Sequence, residues 1–291
     1  MTNRSKGITS IILSAFGFAL MALFVRLCDN YGSDISSFQK SFFRNIIAFG
    51  IAFVVFYRTK KSSPIASMPV TLNTTTTTLL LIRCFAGFIG ILANFYALSK
   101  IPIAEAMTLN KTAPFFTVLF SWIFLKEKPK KHQFLAIIIA FLGVIFVMKP
   151  GFSTHNIFAT SCALIGGLGA GIAYTCVREL GIQKVNSAFI VLFFSAFSTL
   201  ASIPFIINDF TPMTLIQIFI LLGAGAGAAI GQFGITTAYR FAPARQIAVY
   251  DYTNIIFTTT LGFIFFEQIP DTISALGFIA ILVAAILTNK N

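Results

Sequence analysis

Ten apolar segments, separated by short polar gaps, dominate this sequence and limit what it can fold into. Hydrophobic residues make up 57% of the 291 positions, and charged residues only 10%. Runs that approach about 20 apolar residues are long enough to cross the hydrocarbon core of a bilayer as helices. The sequence therefore predicts an all-α membrane protein with ten transmembrane helices. The predicted spans are 7–26, 38–57, 79–98, 103–125, 133–149, 157–177, 187–207, 214–239, 245–266 and 272–288.

The basic residues are concentrated in alternate gaps between these segments. If the N-terminus is cytoplasmic, the cytoplasmic segments hold fourteen Lys and Arg residues and the outer segments hold four. This distribution is typical of multi-pass membrane proteins, whose cytoplasmic loops carry an excess of Lys and Arg. The net charge of +12 therefore reflects orientation in a lipid bilayer and not binding to nucleic acid. We expect a protein of the plasma or inner membrane with both termini cytoplasmic.

The two halves of the chain resemble each other. LNKTAPFFTVLFSWIFLKE (109–127) and VYDYTNIIFTTTLGFIFFE (249–267) each carry one charge near the start and a glutamate at the end. FVRLC (24–28) ends the first span as CVREL (176–180) ends the sixth. The sequence predicts two five-helix repeats, 1–150 and 151–291. Because five is odd, the second repeat enters the membrane inverted, an architecture common among secondary transporters that bind substrate between the repeats.

Lys111 and Asp251 occupy matching positions in these repeated segments, and both are predicted to lie at membrane depth. A charge at the bilayer centre costs roughly 2.5–3.5 kcal/mol on insertion scales, so it marks a functional site by default. The two side chains either pair directly or each hold one end of a bound zwitterion. A substrate site and a structural gate between the repeats both remain open.

Further polar side chains fall within the same predicted spans. Arg44 and Arg83 are placed near the ends of their spans, where long basic side chains usually extend to the interface. Arg44 is also a candidate to face an anionic substrate. The remaining candidate substrate or gate residues carry hydrogen-bonding groups, and such groups serve equally as contacts between helices. They are Asn94, Tyr96, Asn110, Gln232 and Tyr252.

The sequence contains no motif typical of a catalytic, metal-binding or cofactor-binding site. The two histidines, His132 and His155, fall in gaps on opposite sides of the predicted membrane and cannot form one site. The cysteines lack C-x-x-C spacing, and no nucleophile-elbow or zinc-protease motif occurs. We expect no catalytic residue, no bound metal and no cofactor. The alternatives to a transporter are a channel and a non-transporting scaffold; a channel would be expected to show a filter segment or a ring of charges.

The densest repeated parts of the chain are FYALSKIPIAEAMTLNKTAPFFTVLFSWIFLKEKP (95–129) and GQFGITTAYRFAPARQIAVYDYTNIIFTTTLGFIFFEQIPD (231–271). Both contain an A-x-A triplet, then Asn or Pro within a span, then a glutamate shortly before a proline. In these features the chain resembles the EamA-type branch of the drug/metabolite transporter superfamily. The resemblance implies a central cavity lined by helices 1, 3, 4, 6, 8 and 9, with helices 5 and 10 at the periphery.

The resemblance also implies secondary transport, driven by a coupling proton or by an exchanged metabolite. We therefore expect a transporter that moves a small organic metabolite by alternating access, with an amino acid or related zwitterion as the favoured substrate. Nucleosides, cofactors and amphipathic drugs are alternative substrates, because the branch resembles transporters of several such classes. Nothing in the sequence indicates an oligomeric state.

Overall fold

The computed structural model describes residues 2–32, 34–62, 73–101, 103–148, 157–267 and 272–288. Within this part of the chain the regular structure is helical throughout. Six helices are long and apolar enough to cross a membrane, and shorter apolar helices accompany them. The predicted all-α membrane class is therefore confirmed.

The helices follow the predicted spans, with two exceptions at the charged positions. Their bounds are α1 (Asn3–Cys28), α2 (Ser37–Ser62), α3 (Thr74–Lys100), α4 (Ile103–Asn110), α5 (Ala113–Leu125), α6 (Lys131–Met148), α7 (Ile157–Ile182), α8 (Ser187–Asn208), α9 (Leu215–Phe241), α10 (Ala244–Ile247), a 3-10 segment (Ala248–Tyr252), α11 (Thr253–Phe266) and α12 (Thr272–Thr288).

The fourth and ninth spans, predicted as continuous helices, are each broken. The first break separates α4 from α5 at Lys111 and Thr112, and Pro114 lies in the first turn of α5. Proline has no N–H to donate to the carbonyl one turn earlier, so the α-helical hydrogen bonds are interrupted here. The second break is the 3-10 segment that contains Asp251. Apolar composition predicts that a span exists, but it does not reveal where the span changes its helical form.

The helices pack in pairs that combine the two halves of the chain. α1 packs along α9, and α3 packs along α7. Each pair combines the first helix of one predicted repeat with the third helix of the other. We call α3, α4, α5 and α7 the first bundle, and α1, α9, α10, the 3-10 segment and α11 the second bundle. α6 packs against α12 at the periphery, as the resemblance implies, and α2 packs against α8. The predicted boundary between the repeats, at residue 150, lies outside the described residues.

Glycines allow the paired helices to come into close contact. A Cβ on Gly17 of α1 would lie 2.6 Å from the backbone nitrogen of Gly231 in α9. On the other side, a Cβ on Gly169 of α7 would lie 2.6 Å from the carbonyl oxygen of Ala86 in α3. Small residues at such crossings are how membrane helices approach closely, because van der Waals packing drives their association.

Candidate functional site

The two broken helices meet at a buried ion pair. Nζ of Lys111 lies 3.1 Å from both carboxylate oxygens of Asp251, and the residues are 3% and 1% exposed. Lys111 is in the turn between α4 and α5, and Asp251 is in the 3-10 segment of the other bundle. Breaking the helices at these residues brings side chains from oppositely oriented spans to one point. The pair therefore joins the first bundle to the second.

A small cavity adjoins the Lys111 side of this pair. Its volume is about 60 Å³, whereas pockets for drug-sized ligands are usually about 300–1,000 Å³. The cavity has room for a few water molecules, and the bundles must move apart before an organic metabolite fits. Its polar and charged lining residues are Arg44, Arg83, Asn94, Asn110, Lys111, Tyr174 and Gln232.

Arg44 lines this cavity from α2 and is only 1% exposed. Its Nε donates to the sulfur of Met21 at 3.0 Å, and its Nη1 donates to Oδ1 of Asn45 at 3.1 Å. Both acceptors are neutral. The guanidinium therefore lies inside the bundle and not at the interface.

Arg83 is equally buried, so its predicted extension to the interface is wrong. The residue is 2% exposed, and its guanidinium stacks 3.5 Å from the ring centroid of Phe194. Its Nη2 donates to Oε1 of Gln232 at 2.8 Å, across the two bundles. The error arose at the helix start. α3 begins at Thr74 with an Asn73 cap, which places Arg83 nine residues, or about 14 Å, into the helix.

Five of the predicted site residues line the cavity, whereas three do not. Asp251 contacts Lys111 but is not itself a lining residue. Tyr96 lines a separate pocket beside Ser99, and its ring packs edge-on against Phe158. Tyr252 is fully buried, and its hydroxyl has no hydrogen-bond partner among the described residues. The lining residues are Arg44, Asn94, Asn110, Lys111 and Gln232.

Among the lining residues that were not identified as site residues from the sequence, three have charged or aromatic side chains that bear on the site: Arg83, Tyr174 and Phe194. Tyr174 lies in the middle of α7 and packs against Tyr239 of the other bundle. Phe194 is one of 35 phenylalanines, so composition gave no reason to select it. Of the three, only Arg83 could have been recognised from the sequence, because a basic residue within an apolar span is costly unless it faces the interior of the bundle.

Two repeat-related arginines connect the bundles at the two membrane faces. We call the face where α1 begins the N-terminal face. There, Nη1 of Arg178 donates to the carbonyl oxygen of Tyr239 at 3.1 Å. At the opposite face, Nη1 of Arg26 donates to the carbonyl oxygen of Leu98, also at 3.1 Å. These are the arginines of the CVREL and FVRLC segments, so the repeated motif places an equivalent contact at each end of the molecule.

We call these two contacts, Arg178 with Tyr239 and Arg26 with Leu98, the clamps. The arginines of the two clamps differ in their charged partners. Nε and Nη2 of Arg178 also donate to Oε1 of Glu127, at 2.9 and 2.7 Å. Arg26 has no such carboxylate among the described residues. The N-terminal face has one further link, since Nη1 of Arg245 donates to the carbonyl oxygen of Lys128 at 2.6 Å. α7 also packs more extensively against α9 than α1 does against α3. The opposite face has a further link of its own, since Oγ of Ser99 in α3 donates to Oδ2 of Asp29 at 3.4 Å, so more than one contact holds each face.

Comparison with known proteins agrees with this architecture. Residues 5–149 match the model of the EamA-like transporter family. The pseudopaline exporter CntI of Pseudomonas aeruginosa is 29% identical over 287 residues, which cover 98% of this chain and 96% of the exporter. The chain belongs to the EamA-like transporter family. This EamA-type protein therefore moves small metabolites across a membrane and is not an enzyme.

Other relatives and a solved structure extend the comparison. An S-adenosylmethionine uptake transporter of Rickettsia bellii is 24% identical over 260 residues, which cover 88% of this chain and 84% of that transporter. A protein of known crystal structure superposes with a TM-score of 0.73 at 16% identity, covering 97% of this chain and 96% of its own. The EamA-type transporter therefore has the same fold as this solved structure over nearly its whole length.

Proposed function

We propose that this EamA-type transporter carries amino acids or related zwitterions by alternating access. The observation that carries the proposal is the buried pair of Lys111 and Asp251, where two broken helices meet beside the cavity. A zwitterion brings one charge of each sign. It can therefore replace the internal partner of each residue without leaving a buried charge unpaired, whereas a singly charged metabolite cannot.

The repeat-related clamps support alternating access. Opening the N-terminal face requires Arg178 to release the carbonyl of Tyr239, and opening the other face requires Arg26 to release the carbonyl of Leu98. In each half of the transport cycle, one of these contacts breaks while the other forms. The small cavity and the burial of Lys111 also favour a gated carrier over a continuously open channel. A scaffold has no need of exchangeable contacts at both faces.

We further propose that the N-terminal face is cytoplasmic and that the membrane is the plasma or inner membrane. The excess of Lys and Arg in the segments on this face supports that orientation. The driving partner is a coupling proton or an exchanged metabolite. Proteoliposomes with and without a pH gradient separate these two: a proton-coupled carrier responds to the gradient, and an exchanger responds to metabolite loaded on the far side.

Thermal stabilisation of the purified protein tests the substrate class first. A panel of amino acids, nucleosides and cofactors is added, and each binder is then tested for exchange in proteoliposomes. A ligand present at 100 times its Kd stabilises the state it binds by roughly 2.7 kcal/mol. We expect zwitterionic amino acids to be the strongest binders. Binding and exchange confined to nucleosides or neutral cofactors would refute the proposal.

A charge swap then tests the role of the ion pair. The double variant Lys111→Asp with Asp251→Lys keeps a buried pair but reverses its direction, so we expect a folded protein with transport reduced at least tenfold. The control is the pair of Lys100 and Asp34, whose charged atoms lie 3.7 Å apart and whose side chains are 43% and 80% exposed. Because exposed ion pairs contribute little, swapping that pair should leave transport by the folded protein within threefold. Normal transport by the first swap would exclude direct substrate binding and leave only the role of a structural pair.

A further inference from the structure

Two buried arginines at the cavity have no acidic partner among the described residues. Arg44 contacts Met21 and Asn45, and Arg83 contacts Gln232 and the face of Phe194. The ion pairs within the described part of the chain involve other basic residues: Lys40, Lys100, Lys111 and Arg178. Since Lys111 and Asp251 neutralise each other, the centre carries two uncompensated positive charges.

This arrangement is unfavourable unless an anion completes it. A buried charge without a counter-ion costs several kcal/mol, and arginine does not lose its proton in proteins. Arg44 and Arg83 line the same cavity, so the repulsion between their like charges adds to that cost. Stacking of Arg83 on Phe194 offsets only about 2 kcal/mol. The missing negative charge is therefore expected to come from a bound molecule.

The free donors of the two arginines are also suited to an anion. Nη2 of Arg44, and both Nε and Nη1 of Arg83, make no hydrogen bond with a described residue. A planar guanidinium presents paired N–H groups that match the two oxygens of a carboxylate.

We propose that Arg44 and Arg83 form an anion subsite for an additional carboxylate of the substrate. The preferred substrate class is then amino acids that carry a second carboxylate, so that the molecule is net anionic. This inference rests on the proposed function, because it assumes that a zwitterion engages Lys111 and Asp251. The second carboxylate meets the uncompensated arginines across the cavity.

Matched acid and amide probes test the subsite on the purified full-length protein. L-Glutamate is compared with L-glutamine, and L-aspartate with L-asparagine, by thermal shift and by exchange in proteoliposomes. These pairs are close in size and differ in one negative charge. We expect each acid to bind at least tenfold more tightly than its amide. Equal affinities would overturn the inference. Stabilisation by chloride or sulfate without any preference for the acids would also overturn it, because the subsite would then hold only an inorganic anion.

Substitutions then assign any preference to the two arginines. Arg44→Gln and Arg83→Gln should weaken binding of the acids at least tenfold and change binding of the amides less than threefold. Arg83→Lys keeps the charge but loses the paired donors, so its affinity for the acids should lie between that of the unchanged protein and that of Arg83→Gln. Arg240→Gln is the matched control, because Arg240 is exposed at the end of α9. Equal loss of acid and amide binding in Arg83→Gln would mean that Arg83 only holds the bundles together.

Gln232→Glu keeps the inference testable if the arginine variants fail to fold. This change places a carboxylate at the position that now accepts a hydrogen bond from Arg83 at 2.8 Å. An internal counter-ion should raise the melting temperature and reduce the preference for acids over amides to less than threefold. A preference that survives in Gln232→Glu refutes the subsite.

The proposed function and this inference can fail separately. If neutral amino acids bind and exchange but the acids have no advantage, transport of zwitterions stands and the anion subsite does not. If no amino acid binds or exchanges while another member of the metabolite panel does, both proposals fail. If the acids bind tenfold more tightly and Arg44→Gln abolishes that advantage, both are supported.

Discussion

The buried pair of Lys111 and Asp251 gives the sharpest quantitative prediction. Two unit charges 3.1 Å apart attract by about 5 kcal/mol at an effective dielectric constant of about 20. Replacing either residue alone with leucine removes this attraction and leaves the other charge buried and unpaired. We therefore expect Lys111→Leu and Asp251→Leu each to lower the free energy of unfolding by about 3–5 kcal/mol.

The double variant distinguishes the charge effect from lost packing. Lys111→Leu with Asp251→Leu leaves no unpaired charge, and well-packed apolar replacements of buried pairs are often neutral or stabilising. Its stability should return to within about 1 kcal/mol of the unchanged protein, which gives a coupling energy of several kcal/mol. The same cycle on Lys40 and Asp29 is the control. Asp29 is 13% exposed, so water solvates it in part and the coupling should be smaller.

Unfolding in detergent micelles, followed by tryptophan fluorescence from Trp122 and by circular dichroism, measures these differences. Trp122 is the single tryptophan of the chain and lies near the end of α5. Losses below about 1 kcal/mol in both single variants would refute the reasoning, because they would mean that the two charges are hydrated and not paired. A double variant that is stable but inactive would assign the pair to transport, whereas a stable and active one would assign it to structure.

Three further predictions concern other parts of the molecule. In a protein that retains Cys176 as its single cysteine, Glu127→Gln should increase the rate at which maleimide labels Cys176 at least threefold, because Arg178, two residues away, loses its charged partner. Glu179→Gln is the control, and equal labelling rates in the two variants would contradict the role of the clamp. Gly17→Ala should destabilise the protein by about 1–3 kcal/mol, because its Cβ would meet backbone atoms of α9 at 2.6–2.8 Å, whereas Gly50→Ala, with no atom within 4 Å, should stabilise it by about 0.5–1 kcal/mol; a neutral Gly17→Ala in thermal unfolding would show that the helices are not in close contact. Cysteine introduced at Lys130 should react with an impermeant maleimide only after the cells are opened, and cysteine at Asp209 should react in intact cells; the reverse result would contradict the predicted orientation.

Much of the fold was predictable because bilayers allow few solutions. Backbone groups in lipid must be satisfied within the chain, so long apolar runs become helices. The same constraint made the repeat visible, since matching charges and two arginine motifs stand out in an apolar sequence. The structure confirms the helical class and adds that Arg26 and Arg178 make equivalent contacts with the ends of α3 and α9.

The interior of the site was less predictable. The polar run Thr74–Thr78 gave no apolar signal, yet it forms the first turns of α3 and carries Arg83 deep into the bundle. Tyr96 and Tyr252 have the right chemistry but do not line the cavity. A position in the sequence determines depth in the membrane approximately. It does not determine which side of a helix faces a partner, because that depends on the crossing of helices distant in the chain.

The sequence by itself determined that this protein spans a membrane, that its halves repeat, and that Lys111 and Asp251 are exceptional. Hydropathy and charge are local properties, and one chain suffices to read them. Only the tertiary structure decided that these two residues pair across broken helices and that Arg44 and Arg83 lack a counter-ion among the described residues. The electrostatic environment of a buried group depends on side chains brought together from separate helices, and their proximity is a property of the folded bundle.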